Sequence, residues 1–484
     1  MKAKKWLMVI LTFIISASVV LAAAGCANRN GAGENGTLKI TYYKGGVGQE
    51  WIEDLAAAFE EATKIKVELT PDAKATENAK TLLEADRDLP DLMFILYTNW
   101  HEYVQKGWLA DMDDLYDGTF SYTVNGTTFN SKYDVSGTSV YSEDNKTSDL
   151  TLHDIMTSDF VEYGKMAPKR GEEEHYYVMP WTSPCTGFVY NVDLLASVGY
   201  NDPPKTEEEL KDCCVKLVAK GIAPFSWGGQ EMGYWSFPVL TWWAQSSGVD
   251  TWKNFYQFES PEVFNDPGRT NALRLWQDLI VDPSNGSIIN SIDKPMGRDH
   301  MAAQTQFVAG KAAMTPTGSW IETEVKEFAK PGFNMKMMPV PLISGAKSDE
   351  QILNTSAGDF ACIPKNAANI DAAKAFLAFM NRPEWVEKFT KTTGVPRPFN
   401  YKPSTLEGVS EFAKSCFDLF ENSTLMYRVS NSPLYLYANV SEWPKYGDNV
   451  YGNLMTETKK TPEWITNDMY EYAKKQWSTW EKLS

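Results

Sequence analysis

Histidine is scarce in this 484-residue chain. There are four, His101, His153, His175 and His300, and none lie at the short spacings that build a metal site. Six cysteines contain no Cys-x-x-Cys pair of the zinc-binding kind. Cys213 and Cys214 are adjacent within a helical pattern, while Cys185, Cys362 and Cys416 lie far apart, so these five read as buried small hydrophobes. Basic residues are outnumbered, 46 Lys and Arg against 63 Asp and Glu, giving a net charge of −17. A phosphate backbone would be repelled, which argues against nucleic acid as a partner, and anionic lipid would be avoided for the same reason. The glycines of KGGVG form neither a P-loop nor a G-x-G-x-x-G turn. The acidic stretch DMDDLYDG, Asp111 to Gly118, lacks the alternating oxygen ligands and closing Glu of a calcium loop and reads as a solvated turn. No cofactor or metal is expected.

The amino-terminal run is the first positive signal. Lys2, Lys4 and Lys5 precede an apolar stretch from Trp6 to Ala24, and LAAAGC follows. Its length approaches the ~20 residues that span a bilayer, but the positive start and small-residue end are those of a secretory signal peptide. Cys26 after Gly25 resembles the bacterial lipobox, with Ala23 standing where Leu is usual. The expectation is cleavage of residues 1–25, acylation of Cys26 with palmitate among its lipids, and a flexible leash at 26–37. Cleavage leaves 459 residues and moves the charge to −20. Such a chain would sit on the outer face of the cytoplasmic membrane, as in a Gram-positive bacterium, held by its lipid alone.

Aromatic residues are abundant, at 13% with 17 Trp, 23 Tyr and 23 Phe. Neighbouring pairs such as Tyr42-Tyr43, Tyr176-Tyr177 and Trp242-Trp243 point rings in different directions, so a share is expected outside the core. A free ring face suits the apolar C–H face of a sugar, although each single Trp is more often packing.

The chain then alternates strand and helix. TLKITYY, KIKVELT and PDLMFIL read as strands, separated by helical patterns at Trp51 to Ala62 and Ala75 to Ala85. This alternation predicts an α/β fold with a mainly parallel sheet, its ligand at the strand ends Tyr42–Gly48 and Tyr97–Trp100. Residues 117–175 are polar and read as loops inserted on the first domain. Thr206 and Glu209 form a capping box for a helix whose face carries Leu210, Cys213, Leu217 and Val218.

From about Thr37 onward, five patterns in order resemble the extracellular solute-binding proteins of sugar ABC importers, the maltodextrin-binding-like family 1. They are PDLMF with YVQKGWLADMDDLY; VMPWTSPCTGFVYNVDLL; PPKTEEEL; FVAGKAAMTPTGSW; and SAGDFACIPKNAANIDAAKAFLAFM with TGVPRPF. The resemblance implies a two-lobed periplasmic-binding-protein fold, type II-like, with discontinuous lobes at 38–182 with 358–412 and 183–357 with 413–484. A hinge would close the lobes on a ligand, and the closed form would be presented to membrane permease subunits, with the protein acting as a monomer and not an enzyme. The resemblance places Trp320, Tyr234, Trp235 and Trp443 as aromatic platforms of the second lobe and Trp181 and Ser183 on the first crossover. Tyr43, Asn99 and Trp100 fall at first-lobe strand ends, Asp359 and Arg397 are polar candidates for sugar hydroxyls, and Cys185 packs near the hinge. Ile95 stands where the maltodextrin type has Trp, so maltose is not implied.

A surface-anchored glycoside hydrolase fits the same composition but needs two carboxylates across the scissile bond, and no short motif nominates a pair. A carrier for peptides or polyamines would place carboxylates in the cleft for a cation. Several rings favour an oligosaccharide over a monosaccharide, and GKAAMTPTGSWIETE is similar to its counterpart in carriers of N-acetylglucosamine or chitobiose.

Overall fold

The structure is a computed structural model that describes residues 36–96, 100–355, 359–428, 430–438, 442–455 and 460–484. The signal segment, Cys26 and Asn99 lie outside the described residues.

Two sheets form the frame. In chain order their strands are β1 (Thr37–Tyr43), β2 (Lys66–Asp72), β3 (Leu92–Ile95), β4 (Met179–Pro180), β5 (Thr186–Asn191), β6 (Ala223–Phe225), β7 (Ala312–Gly318), β8 (Met335–Met338), β9 (Ile352–Asn354), β10 (Phe360–Cys362) and β11 (Thr424–Met426). The first sheet runs β2-β1-β3-β10-β4, and the second β6-β7-β5-β9-β11 with β8 also against β5. Alternation decides the faces of β1: Leu38, Ile40 and Tyr42 are buried and Lys39 is exposed. The following helix, Glu50–Thr63, buries Trp51, Ile52, Leu55 and Phe59 at three- and four-residue intervals and ends where Lys64 turns left-handed.

The expected mainly parallel sheet is mixed. β1 lies parallel to β2 and β3, but β10 runs antiparallel to β3 and to β4. The reason is topological: β10 belongs to chain returning from the second sheet, without the crossover helix that a parallel pairing needs. The chain passes between sheets from Pro180 to Thr186 and again from Asn354 to Phe360. Near residue 412 the division is less sharp, because the helix Glu411–Asn422 runs through it, packing Phe412, Cys416 and Phe417 into the core shared with the first sheet. Cys185, on the first passage, donates its thiol to the Cys416 carbonyl at 3.3 Å and ties these segments together.

The polar insertion is better packed than its composition indicates. It forms a hairpin, Ser121–Val124 with Thr127–Asn130, and short helices Leu152–Ile155 and Ser158–Tyr163, and it sends Phe129, Tyr133, Leu152 and Phe160 into the main core. Within the acidic stretch, Asp113 accepts from the Tyr176 amide and meets His175 at 2.6 Å, while Asp114 pairs with Lys374 at 2.8 Å, so part of this turn is structural. In the helix Glu207–Ala219, Thr206 accepts from the Glu209 amide as a cap should, but the Glu209 carboxylate takes the Lys205 amide, one residue earlier than a capping box predicts. Val218, expected on the buried face, is 52% exposed.

Candidate ligand-binding cleft

The carboxyl ends of β1 and β7 bring the strongest candidates together. β1 ends in Tyr43, and the loop after it, Lys44 to Gly48, carries left-handed backbone at Gly46 and Gly48, with φ of 51° and 75°. A side chain on Gly45 would meet the Tyr43 ring at 2.6 Å, so the ring lies folded over that backbone. From the second sheet, β7 ends in Gly318, Ser319 and Trp320, and Trp320 heads the short helix Ile321–Val325. The Trp320 indole rests on Gly318, where an added Cβ would lie 2.1 Å from it. A Cβ added at Gly46 would lie 3.8 Å from the Trp320 Cβ, and one added at Gly48 would lie 3.6 Å from Thr323, so the two lobes meet here.

Around Trp320 the second lobe builds an aromatic wall. Phe237 stands edge-on to it at 5.5 Å and Tyr234 at 6.2 Å, and Tyr234 stacks on His300 at 5.6 Å. Unlike core rings, Tyr43, Tyr234, Phe237 and Trp320 all keep part of their surface open. Carboxylates border the wall. Glu324, one helical turn beyond Trp320, acts on both Tyr43 and Tyr234, and Asp359 acts on Tyr43. Burial raises the Tyr43 hydroxyl, with Glu324, Asp359 and Glu77 adding to the effect. Burial likewise raises the Glu324 carboxyl, opposed by Gln304 and His300, and pushes Asp359 up to about 6 against a 2.8 Å hydrogen bond donated by Thr182. Glu231 holds the His300 amide at 2.8 Å.

Four buried polar atoms in this region lack a hydrogen bond among the described residues: Gln304 Oε1, Ser319 Oγ, Glu324 Oε2 and His300 Nδ1, the last with the Glu231 carboxylate 3.8 Å away. Buried polar atoms are normally satisfied, and a cluster of orphans beside an aromatic wall is what a hydroxyl-rich ligand would complete.

Other candidates lie elsewhere. Trp181 stacks on Trp51 at 4.7 Å and sits edge-on to Phe94 and Phe389, inside the first-lobe core. Trp235 is fully buried among Phe188, Phe225, Trp227 and Trp276. Trp443 packs under the Arg269 guanidinium at 4.7 Å and near Trp243 at 6.2 Å. Arg397 donates to the Met380 carbonyl and the Asn381 side chain, at 3.1 and 2.7 Å, between the rings of Phe389 and Phe399, and burial lowers its pKa to about 9. These four, expected at the cleft, are almost wholly buried and lie within the cores and not beside Trp320. Trp100 is buried on His101 at 4.2 Å, and His101 reaches the Ser430 carbonyl of the second lobe at 2.9 Å, so this strand end joins the lobes at a place apart from Trp320. Ser183 is fully buried on the first passage, its amide bonded to the Pro396 carbonyl.

The expectation of a large free aromatic surface is therefore narrowed. Trp100, Trp227, Trp235, Trp242, Trp243, Trp252, Trp276 and Trp443 are among the largest fully buried side chains, and only Trp108, Trp320, Trp385 and Trp464 of the described tryptophans are not buried. Sequence reasoning missed Phe237, His300 and Glu324. Two of them had a signal, since Phe237 follows Tyr234 by three residues and Glu324 follows Trp320 by four, both one helical turn.

Among solved structures, a chitin oligosaccharide binding protein matches with a TM-score of 0.65 at 17% identity, over 92% of this chain and 99% of that one. The raffinose complex of the solute-binding protein RafE matches with a TM-score of 0.60 at 19% identity, over 91% and 99%. These place the fold as the two-lobed one of solute-binding proteins. Curated relatives include a multiple sugar-binding protein of Streptococcus mutans, 24% identical over 46% of this chain and 50% of the relative. An sn-glycerol-3-phosphate-binding periplasmic protein of Pectobacterium atrosepticum is 24% identical over 46% and 48%. The chain thus spans about half the length of the curated relatives it matches. No helix among the described residues is long and apolar enough to cross a membrane. The bacterial extracellular solute-binding protein family matches residues 45–387, and the chain belongs to that family.

Proposed function

We propose that this protein captures a carbohydrate outside the cell, an oligosaccharide of two or more units, and delivers it to an ABC importer. The observation that carries the reading is the approach of the loop that follows Tyr43 in one lobe to the turn at Trp320 in the other, where Tyr234 and Phe237 stand edge-on to Trp320 and where Glu324 and Asp359 act on Tyr43. Ring faces take the C–H face of a sugar, and carboxylates take its hydroxyls. A phosphate ligand such as that of the glycerol phosphate carriers would instead call for Arg or Lys, and the cleft offers carboxylates. The lobes are 38–182 with 358–412 and 183–357 with 413–484, working as one monomeric clamp. Cys26 carries the lipid that keeps the clamp near the permease on the outer face of the membrane, and a Cys26→Ser variant should leave the membrane fraction.

A thermal-shift panel of mono- and oligosaccharides tests the ligand class. At a hundred times its dissociation constant a true ligand adds about 2.7 kcal/mol to the native state. Stabilisation by none of them counts against the reading, and release of reducing ends from a glycan replaces it with hydrolysis.

A further inference from the structure

The charges along the cleft wall are unevenly distributed. Glu77, Glu324 and Asp359 act on Tyr43, and Glu231 and Glu324 act on Tyr234. The positive groups nearby are few. His300 faces Glu324, Lys44 follows Tyr43 and is exposed, and Arg428 beyond β11 is paired with Glu442 at 2.8 Å. Among the described residues neither Glu324 nor Asp359 has a Lys or Arg within ion-pair distance; Thr182 donates to Asp359, Gln304 and His300 act on Glu324, and the buried Glu324 Oε2 is left without a hydrogen bond. A buried carboxylate without a cation or a full set of donors is costly unless something else supplies them.

The neighbouring rings narrow what that something is. An ammonium group over the face of Trp or Tyr is attracted by the ring quadrupole, and the attraction grows as water is excluded. Trp320 keeps part of its surface open within the same wall as Glu324, and Tyr234 stands edge-on to it with His300 stacked on one face. A polyamine would meet the carboxylates but leave the ring faces without the flat C–H surface they match, and an N-acetylated or plain sugar would cover the rings but bring no charge.

We propose that the cleft selects sugars bearing a free, protonated amine over their N-acetylated or hydroxyl counterparts, with Glu324 as the residue that reads the charge. This rests on the carbohydrate reading above. The test is titration calorimetry at pH 7 with matched sugars of one to three residues carrying a hydroxyl, an acetamido or an amino group at carbon 2, together with spermidine, on the intact protein and on Glu324→Gln. The amino sugars should bind about tenfold more tightly than their acetylated twins, the ratio that 1.4 kcal/mol supplies. The ratio should shrink towards one in Glu324→Gln, with circular dichroism confirming that the variant is folded. Acetylated or hydroxyl sugars binding as well as amino sugars would overturn the charge selection and leave the carbohydrate reading intact, as would an undiminished ratio in Glu324→Gln. Binding of spermidine with no sugar bound would overturn both.

Discussion

Trp320 and Trp235 sit in the same lobe and differ in what surrounds them. Trp235 is enclosed by four aromatic rings, so Trp235→Ala should cost about 3–5 kcal/mol in chemical denaturation, the range for emptying a packed aromatic site. Trp320 leans on Gly318 with one side open, and Trp320→Ala should weaken ligand binding by about tenfold or more while lowering stability by about 1 kcal/mol or less. Gly318→Ala should mimic that loss of affinity, because its Cβ would occupy the space of the indole 2.1 Å away. Asp359 gives a prediction in pH. Its folded pKa of about 6 lies above the ordinary 3.8, so the native state holds this proton more tightly than the unfolded chain does. The stability it contributes is greatest below about pH 4 and is lost as pH rises towards 6. Asp359→Asn should therefore raise the melting temperature at pH 7, by the equivalent of about 1 to 3 kcal/mol, and make no difference near pH 4. If Asp359 takes a sugar hydroxyl as proposed, the same variant should bind ligand less well while being more stable.

At the scale of elements, local signals were the most legible. The period-two pattern of TLKITYY and the period-3.6 pattern from Trp51 to Phe59 depend only on which side faces the core, and β1 and the helix Glu50–Thr63 follow them closely. The cap at Thr206 was visible for the same reason, and Thr206→Ala should cost about 1 kcal/mol, measured as a shift in urea midpoint. Direction within the sheet was not visible, because β10 reaches β3 only after the chain has built most of another sheet. Nor was the fate of the aromatics. Trp181 and Trp320 follow similar local contexts at strand ends, and what separates them is whether a distant helix, here the one carrying Phe389, covers the ring. Charged candidates were harder still: Arg397 reads as a cleft residue from GVPRPF, and its place is decided by carbonyl and amide acceptors at Met380 and Asn381.

On the scale of the whole molecule, the frame brings the ends of β1 and β7 together. The ends of β1 and β7 belong to different sheets, and the short loop after β1 reaches the turn at Trp320 without any long loop to position them. A ligand held by one lobe alone would not favour closure, since a conformational equilibrium moves only by the difference in affinity between its states. A working clamp therefore requires that Tyr43 and Trp320 act on the same bound molecule. The most direct measurement is a calorimetric titration of the best-stabilising sugar into the intact protein, Tyr43→Ala, Trp320→Ala and the double variant. Each single change is predicted to weaken binding by about tenfold, with the double variant losing less than the two single losses combined because the two rings share one ligand and one closed state. Unchanged affinity in Tyr43→Ala, with Trp320→Ala weakened, would mean that the sugar is held by one lobe and would contradict the clamp.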